Sequence, residues 1–221
     1  MAEEGWMAAF SPPACTESPQ PASASATVAK PAANITARLV MTERYQLGYN
    51  VNMAVKRLNH AVLYVRDAEK TANFYETVLD FERLPMGFPG AVFMRAPGST
   101  NDHDLGLFSI GEQAGPSGAG RDTVGLYHLA WEVETLADLE ELAGRLRRAG
   151  ALVGSSDHGT TKSLYAKDPN GLEFEVAWIV PADLLDAAAL AGRSAIGHLD
   201  LEAEKRHYGA ATPGGIGISQ T

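Results

Sequence analysis

Between about residues 55 and 180 the chain states one pattern twice, and no other property of this sequence restricts the fold as strongly. The first copy opens Leu58-Asn59-His60-Ala61-Val62-Leu63-Tyr64-Val65; the second opens Leu126-Tyr127-His128-Leu129-Ala130-Trp131-Glu132-Val133. Leu58 answers Leu126, His60 answers His128 and Val65 answers Val133, so a histidine holds the same place in both copies. Each opening is a β-type run that leads into a helical stretch. In the first copy Asp67 can cap, and Ala68, Ala72, Tyr75 and Leu79 recur at helical spacing. In the second, Thr135 and Asp138 have the spacing of a capping box, Leu136, Leu139, Leu142, Ala143 and Leu146 form one stripe, and Gly150 is placed to stop the helix.

Three strand candidates follow each helix: residues 81–86, 91–95 and 104–110, then 152–156, 162–167 and 172–180. Phe88-Pro89-Gly90 and Asp168-Pro169-Asn170-Gly171 read as turns, and the glycine-rich stretch 111–125 as the linker. The expected fold class is α+β, with two tandem βαβββ modules over 55–112 and 124–180 packed side by side.

The flanks read differently. Residues 10–34 are dominated by Ala, Ser, Pro and Thr, a composition that buries too little surface to offset its ordering entropy. Glu3 and Glu4 stand where a secretory signal would need positive charge, so residues 1–54 are expected to be a disordered or extended leader, with Met41 and Met53 as alternative starts. Residues 181–221 are expected to hold a helix over 182–190 and then an irregular, fraying tail. A net charge of -9 and a pI near 5.1 argue against a nucleic-acid partner. No apolar run is long enough to span a bilayer, so no membrane partner is expected. The single cysteine, Cys15, leaves no intrachain disulfide and no thiolate cluster, which fits a reducing cytoplasm.

Strand alternation puts His60 on one face with Leu58, Val62 and Tyr64, and His128 on one face with Leu126 and Ala130. Glu173 and Glu175 share a face of the last strand, and spacing does not decide between them. A carboxylate amid apolar strand residues is costly to bury without a compensating cation. Two imidazoles and one carboxylate converging from three strands would hold a divalent ion with one side open, which suits Fe(II), with Mn(II) as a substitute. The plain alternative is that each histidine is only structural.

These segments, together with Asp168-Pro169-Asn170-Gly171-Leu172-Glu173-Phe174-Glu175, resemble the vicinal oxygen chelate superfamily of glyoxalases, bleomycin- and fosfomycin-resistance proteins and type I extradiol dioxygenases. The resemblance covers 55–180 and implies a half-open β-barrel around a metal site whose ligands are His60, His128 and Glu175. Asp102-His103-Asp104-Leu105 resembles the segment carrying the acid–base histidine of the extradiol dioxygenases. Asp157-His158-Gly159 and Ser163-Leu164-Tyr165 resemble the segments carrying their substrate-side histidine and tyrosine.

The resemblance thus implies a homodimeric, Fe(II)-dependent dioxygenase that opens a small aromatic diol with dioxygen. His103 would take and return a substrate proton, His158 would hydrogen-bond to dioxygen, and Tyr165 would hold a substrate oxygen. Two rivals stand beside it. A glyoxalase-like isomerase needs a further carboxylate from the last strand of the first module, where 105–110 offers none and only Asp104 precedes it. A metal-free antibiotic-binding protein has no need of the two histidines and the glutamate. Phe88, Phe93, Trp131 and Trp178 could line a pocket or fill core.

Overall fold

In a computed structural model, residues 55, 57–119 and 122–215 are described. The expected leader 1–54, with Cys15, Met41 and Met53, lies outside them. Strand β1 (Ala61–Val65) leads to helix α1 (Ala68–Leu79), then β2 (Glu82–Arg83), β3 (Ala91–Arg95) and β4 (Leu105–Ser109). The second series is β5 (His128–Glu132), α2 (Leu136–Arg148), β6 (Leu152–Asp157), β7 (Thr161–Lys167) and β8 (Glu173–Ile179). Both helix starts have the expected chemistry. The Asp67 carboxylate accepts from Lys70 N at 3.1 Å, and Thr135 and Asp138 close a full capping box.

Each series forms a four-stranded mixed sheet, ordered β1-β4-β3-β2 and β5-β8-β7-β6, in which the first strand is an edge running parallel to the last. Among the described residues no strand pairing joins the two sheets, so the expected half-open barrel does not form within one chain. The sheets meet instead through their helix-covered sides. Phe74 and Tyr75 of α1 pack on Phe174 of β8, and Phe81 packs on Trp131 of β5. Val65, Met94, Leu105, Leu107, Leu139, Leu146, Phe174 and Val176 belong to one buried cluster. The opposite sides of both sheets face away from that core.

The turn before β8 fastens the two series. The Asp168 carboxylate accepts from Asn170 N at 2.7 Å and Leu172 N at 3.0 Å. The Asn170 amide then accepts from Arg66 N and donates to Thr71 Oγ1, each at 2.9 Å.

Three boundaries differ from expectation. The strand expected over 81–86 shrinks to two residues, because Pro85 has no N–H to continue the ladder and Gly87 adopts a positive φ. The helix expected over 182–190 splits into a 3-10 turn, Ala182–Leu184, and α3 (Ala187–Gly192). Leu185 is extended between them, and Asp186 starts a new cap by accepting from Ala189 N at 2.7 Å. The tail does not fray where it is described: Asp200 caps α4 (Leu201–Tyr208), and Trp178 Nε1 donates to Thr212 O at 3.2 Å. A fully buried indole needs cover on its face and an acceptor for its N–H, and the tail supplies both.

Candidate active site

Register fixes which side chains share the open side of the second sheet. Tyr165 pairs with Glu175, Ala130 with Glu175, and Ser156 with Ser163. His128, Glu175, Tyr165, Ser163 and Ser156 therefore project from one side, while Phe174, Val176 and Trp178 project into the core. His128 Nε2 lies 3.1 Å from Glu175 Oε2. The other carboxylate oxygen accepts from Ser163 Oγ at 2.5 Å. The Tyr165 hydroxyl is 2.9 Å from His158 Nε2, and Ser156 Oγ stands 2.8 Å from that nitrogen and 3.2 Å from the phenol oxygen. The Tyr165 and His128 ring centres are 5.9 Å apart, so the hydroxyl–imidazole cluster adjoins the His128–Glu175 pair.

His60 and His103 belong to the other sheet. Their ring centres are 4.5 Å apart, and His103 also meets the edge of Phe93. Phe93 packs with Phe88 and Phe108 on the open side of the first sheet, beside Gly106 and Val62. This apolar wall extends into solvent through Val62, 52% exposed, and Tyr64, 70% exposed. His60 is itself exposed. Of the four aromatics considered for a pocket, Phe88 and Phe93 lie on this wall. Trp131 packs on Phe81 between the sheets, and Trp178 is core.

The structure thus brings together His128 with Glu175, His158 with Tyr165, and His60 with His103. Among the described residues it assembles no group of three side chains able to hold a metal, and His60 is not joined to the His128–Glu175 pair. That pair nonetheless fits a cation. Two donors bound at right angles to one divalent ion, each at about 2.1 Å, stand about 3 Å apart, and the observed separation is 3.1 Å. His128 Nδ1 is buried without a hydrogen-bond partner, so the chain's own hydrogen bonds do not use up this ring.

Asp104 is committed elsewhere. It is buried and accepts from Ala96 N, Ser99 Oγ and Asn101 Nδ2, which fixes the loop before β4 and removes it as a ligand candidate. Sequence reasoning missed Ser156 and Ser163. Both alternate correctly for the open side, but nothing short of the strand register distinguishes them from solvent-facing serines.

A sequence model of the glyoxalase/bleomycin resistance protein/dioxygenase superfamily matches residues 57–176, more than half the chain, and the chain belongs to that superfamily. Among solved structures it is similar to a glyoxylase/bleomycin resistance protein/dioxygenase domain from Frankia sp. EAN1pec, with 24% identity over 56% of this chain and 92% of that one, and a TM-score of 0.48. A lactoylglutathione lyase from Agrobacterium tumefaciens shares 21% identity over 56% and 93% of the two chains, with a TM-score of 0.43. The fosfomycin resistance protein FosX from Mesorhizobium loti shares 21% over 56% and 92%, with a TM-score of 0.42. No curated protein sequence matches. Among the described residues no helix is long and apolar enough to cross a membrane.

Proposed function

We propose that this protein is an extradiol ring-cleaving dioxygenase acting on a catechol-type aromatic, with Fe(II) held by His128 and Glu175 of one chain and His60 of a second copy. The observation that carries this reading is the hydrogen-bonded cluster Ser156–Tyr165–His158 beside the His128–Glu175 pair. Binding a diol to a cation requires that its hydroxyl protons go somewhere, and this cluster is a proton acceptor within reach of the ligand pair. When bound, Fe(II) supplies a Lewis acid that lowers the acidity barrier of the diol and a redox centre with open positions for dioxygen. Tyr165 orients one substrate oxygen, His158 accepts a proton through it, and His103 stands against His60 to serve a second proton transfer.

The exposed faces support the second copy. Val62 and Tyr64 on the first sheet and Leu126 before the second are large apolar side chains left open in one chain. Laying the first sheet of one copy over the second sheet of another would cover them and would bring His60 to the pair. The apolar wall of Phe88, Phe93 and Phe108 would then face an aromatic ring held at the cation. A glyoxalase-like isomerase is disfavoured, since Gly106 and Phe108 occupy the positions of β4 on the open side and Asp104 is engaged in its loop.

Anaerobic loading with ferrous iron, followed by oxygen uptake against a panel of catechols, tests the assignment. Coloured ring-opened product with any catechol supports it. Oxygen uptake with none of them, alongside turnover of a methylglyoxal–thiol adduct, discards it in favour of an isomerase.

A further inference from the structure

The segment after β8 lies beyond the stretch matched by the family, yet it reaches the candidate site. His158 Nδ1 is 3.2 Å from the carbonyl oxygen of Ala195. A carbonyl only accepts, so Nδ1 carries a proton, and a ring carrying just that one proton has Nε2 bare. The bare nitrogen faces Tyr165 and Ser156. The phenol then donates to Nε2, and the Ser156 hydroxyl donates to the phenol oxygen.

Several contacts hold the carbonyl in place. Asp157 and Gly197 exchange two backbone hydrogen bonds, at 3.0 and 2.8 Å. Gly159, at φ +72, packs against α3 so closely that a β-carbon on Gly192 would stand 2.9 Å from the Gly159 Cα. Lys162, 3% exposed, donates to Asp157 at 2.6 Å and pairs with Glu204 of α4 at 3.0 Å, tying the end of the arm to the same loop.

We infer that residues 187–208 form a positioning arm whose Ala195 carbonyl selects the His158 tautomer and so makes the His158–Tyr165 pair a proton acceptor rather than a donor. The step it prepares is balanced. A substrate O–H bond breaks, its proton passes to the Tyr165 oxygen, the Tyr165 proton passes to His158 Nε2, and the electron pair stays on the substrate oxygen. The resulting imidazolium keeps its Nδ1–H on Ala195. A ring of the opposite tautomer would present N–H to Tyr165 and could not accept. This inference rests on the proposed dioxygenase reading for the identity of the substrate, but not for the tautomer.

The test is nitrogen NMR on the full chain labelled with 15N-histidine, the His158 signals being assigned by their loss in His158→Gln. The expected result is a protonated Nδ1 and a bare Nε2 in the unsubstituted protein. A bare Nδ1 overturns the inference without any variant. In Gly192→Val, which pushes α3 off the loop, the His158 signals should move toward the other tautomer, and catechol turnover should fall by about 10-fold or more at unchanged iron content. Should Gly192→Val not fold, Gly197→Pro removes the N–H that bonds Asp157 and serves the same purpose. Unchanged His158 signals in a folded arm variant overturn the inference. Absence of turnover in the unsubstituted protein bears on the reaction alone, because the tautomer is read independently.

Discussion

Ser163 donates to one oxygen of Glu175 while His128 faces the other, so the carboxylate has a single free oxygen to offer. Ser163 pairs with Ala177 in the ladder and reaches Glu175 on the diagonal, the usual reach of a cross-strand neighbour. A cation held through one oxygen keeps a further position open for substrate. Ser163→Ala is expected to weaken Mn(II) binding by about 10-fold, measured by calorimetry on chelator-treated protein. Unchanged affinity would show that the hydroxyl does not orient the ligand.

Subunit complementation separates a shared site from an intrachain one. His60→Ala and Glu175→Ala should each be inactive alone. Co-refolded in equal amounts, half of the dimers carry one chain of each kind, and each mixed dimer has one intact site of two. About a quarter of the unsubstituted activity should return. A site built within one chain returns none.

Tyr165→Phe keeps the ring and removes the hydroxyl that touches His158 Nε2. Iron content should stay the same while turnover drops by about 100-fold, the scale of a lost proton-transfer group. Loss of iron in step with turnover would move Tyr165 from proton handling to structure.

Lys162 carries a pH prediction. Burial pushes its pKa down, but hydrogen bonds and charge from Asp157 and Glu204 outweigh this and leave it above the ordinary lysine value. A raised folded pKa means that the stabilisation is complete below about pH 10.4, the unfolded value, and is lost as pH rises through the higher folded value. The Lys162 contribution to thermal stability should therefore be lost at strongly alkaline pH, read as a steeper fall of melting temperature there than in Lys162→Met. Lys162→Met should cost about 2–3 kcal/mol at neutral pH, less than for a fully buried pair because Asp157 and Glu204 are partly exposed.

Much of the fold was legible because period and caps are local. The two helices start at the residues that Asp67 and Thr135 mark, and the histidine openings do begin, or directly precede, the first strand of each sheet. What sequence could not show is which side of each sheet meets the other. The side chains that decide this, Tyr75, Phe174 and Trp131, read equally well as core of one module or as a seam between two. The half-open barrel implied by the resemblance put His60 beside His128 and Glu175, whereas the helix-side seam parts them within a chain. The role of Asp104, weighed only for the isomerase alternative, was hidden for a different reason, since its three acceptor contacts come from a loop whose geometry no spacing rule predicts.

The turn at Asp168-Pro169-Asn170-Gly171 has a consequence for how chains of this kind are recognised. Its polar atoms are spent on Arg66, Thr71 and their own backbone, so the most conspicuous string in the sequence works as a rivet. A chain could keep that string, assemble correctly and be chemically inert, or lose it and retain every donor with only the aromatic seam to hold the halves in line. Searching for activity by this string alone would collect well-built scaffolds; the two buried serines and the half-buried tyrosine on the neighbouring strands are the better bait.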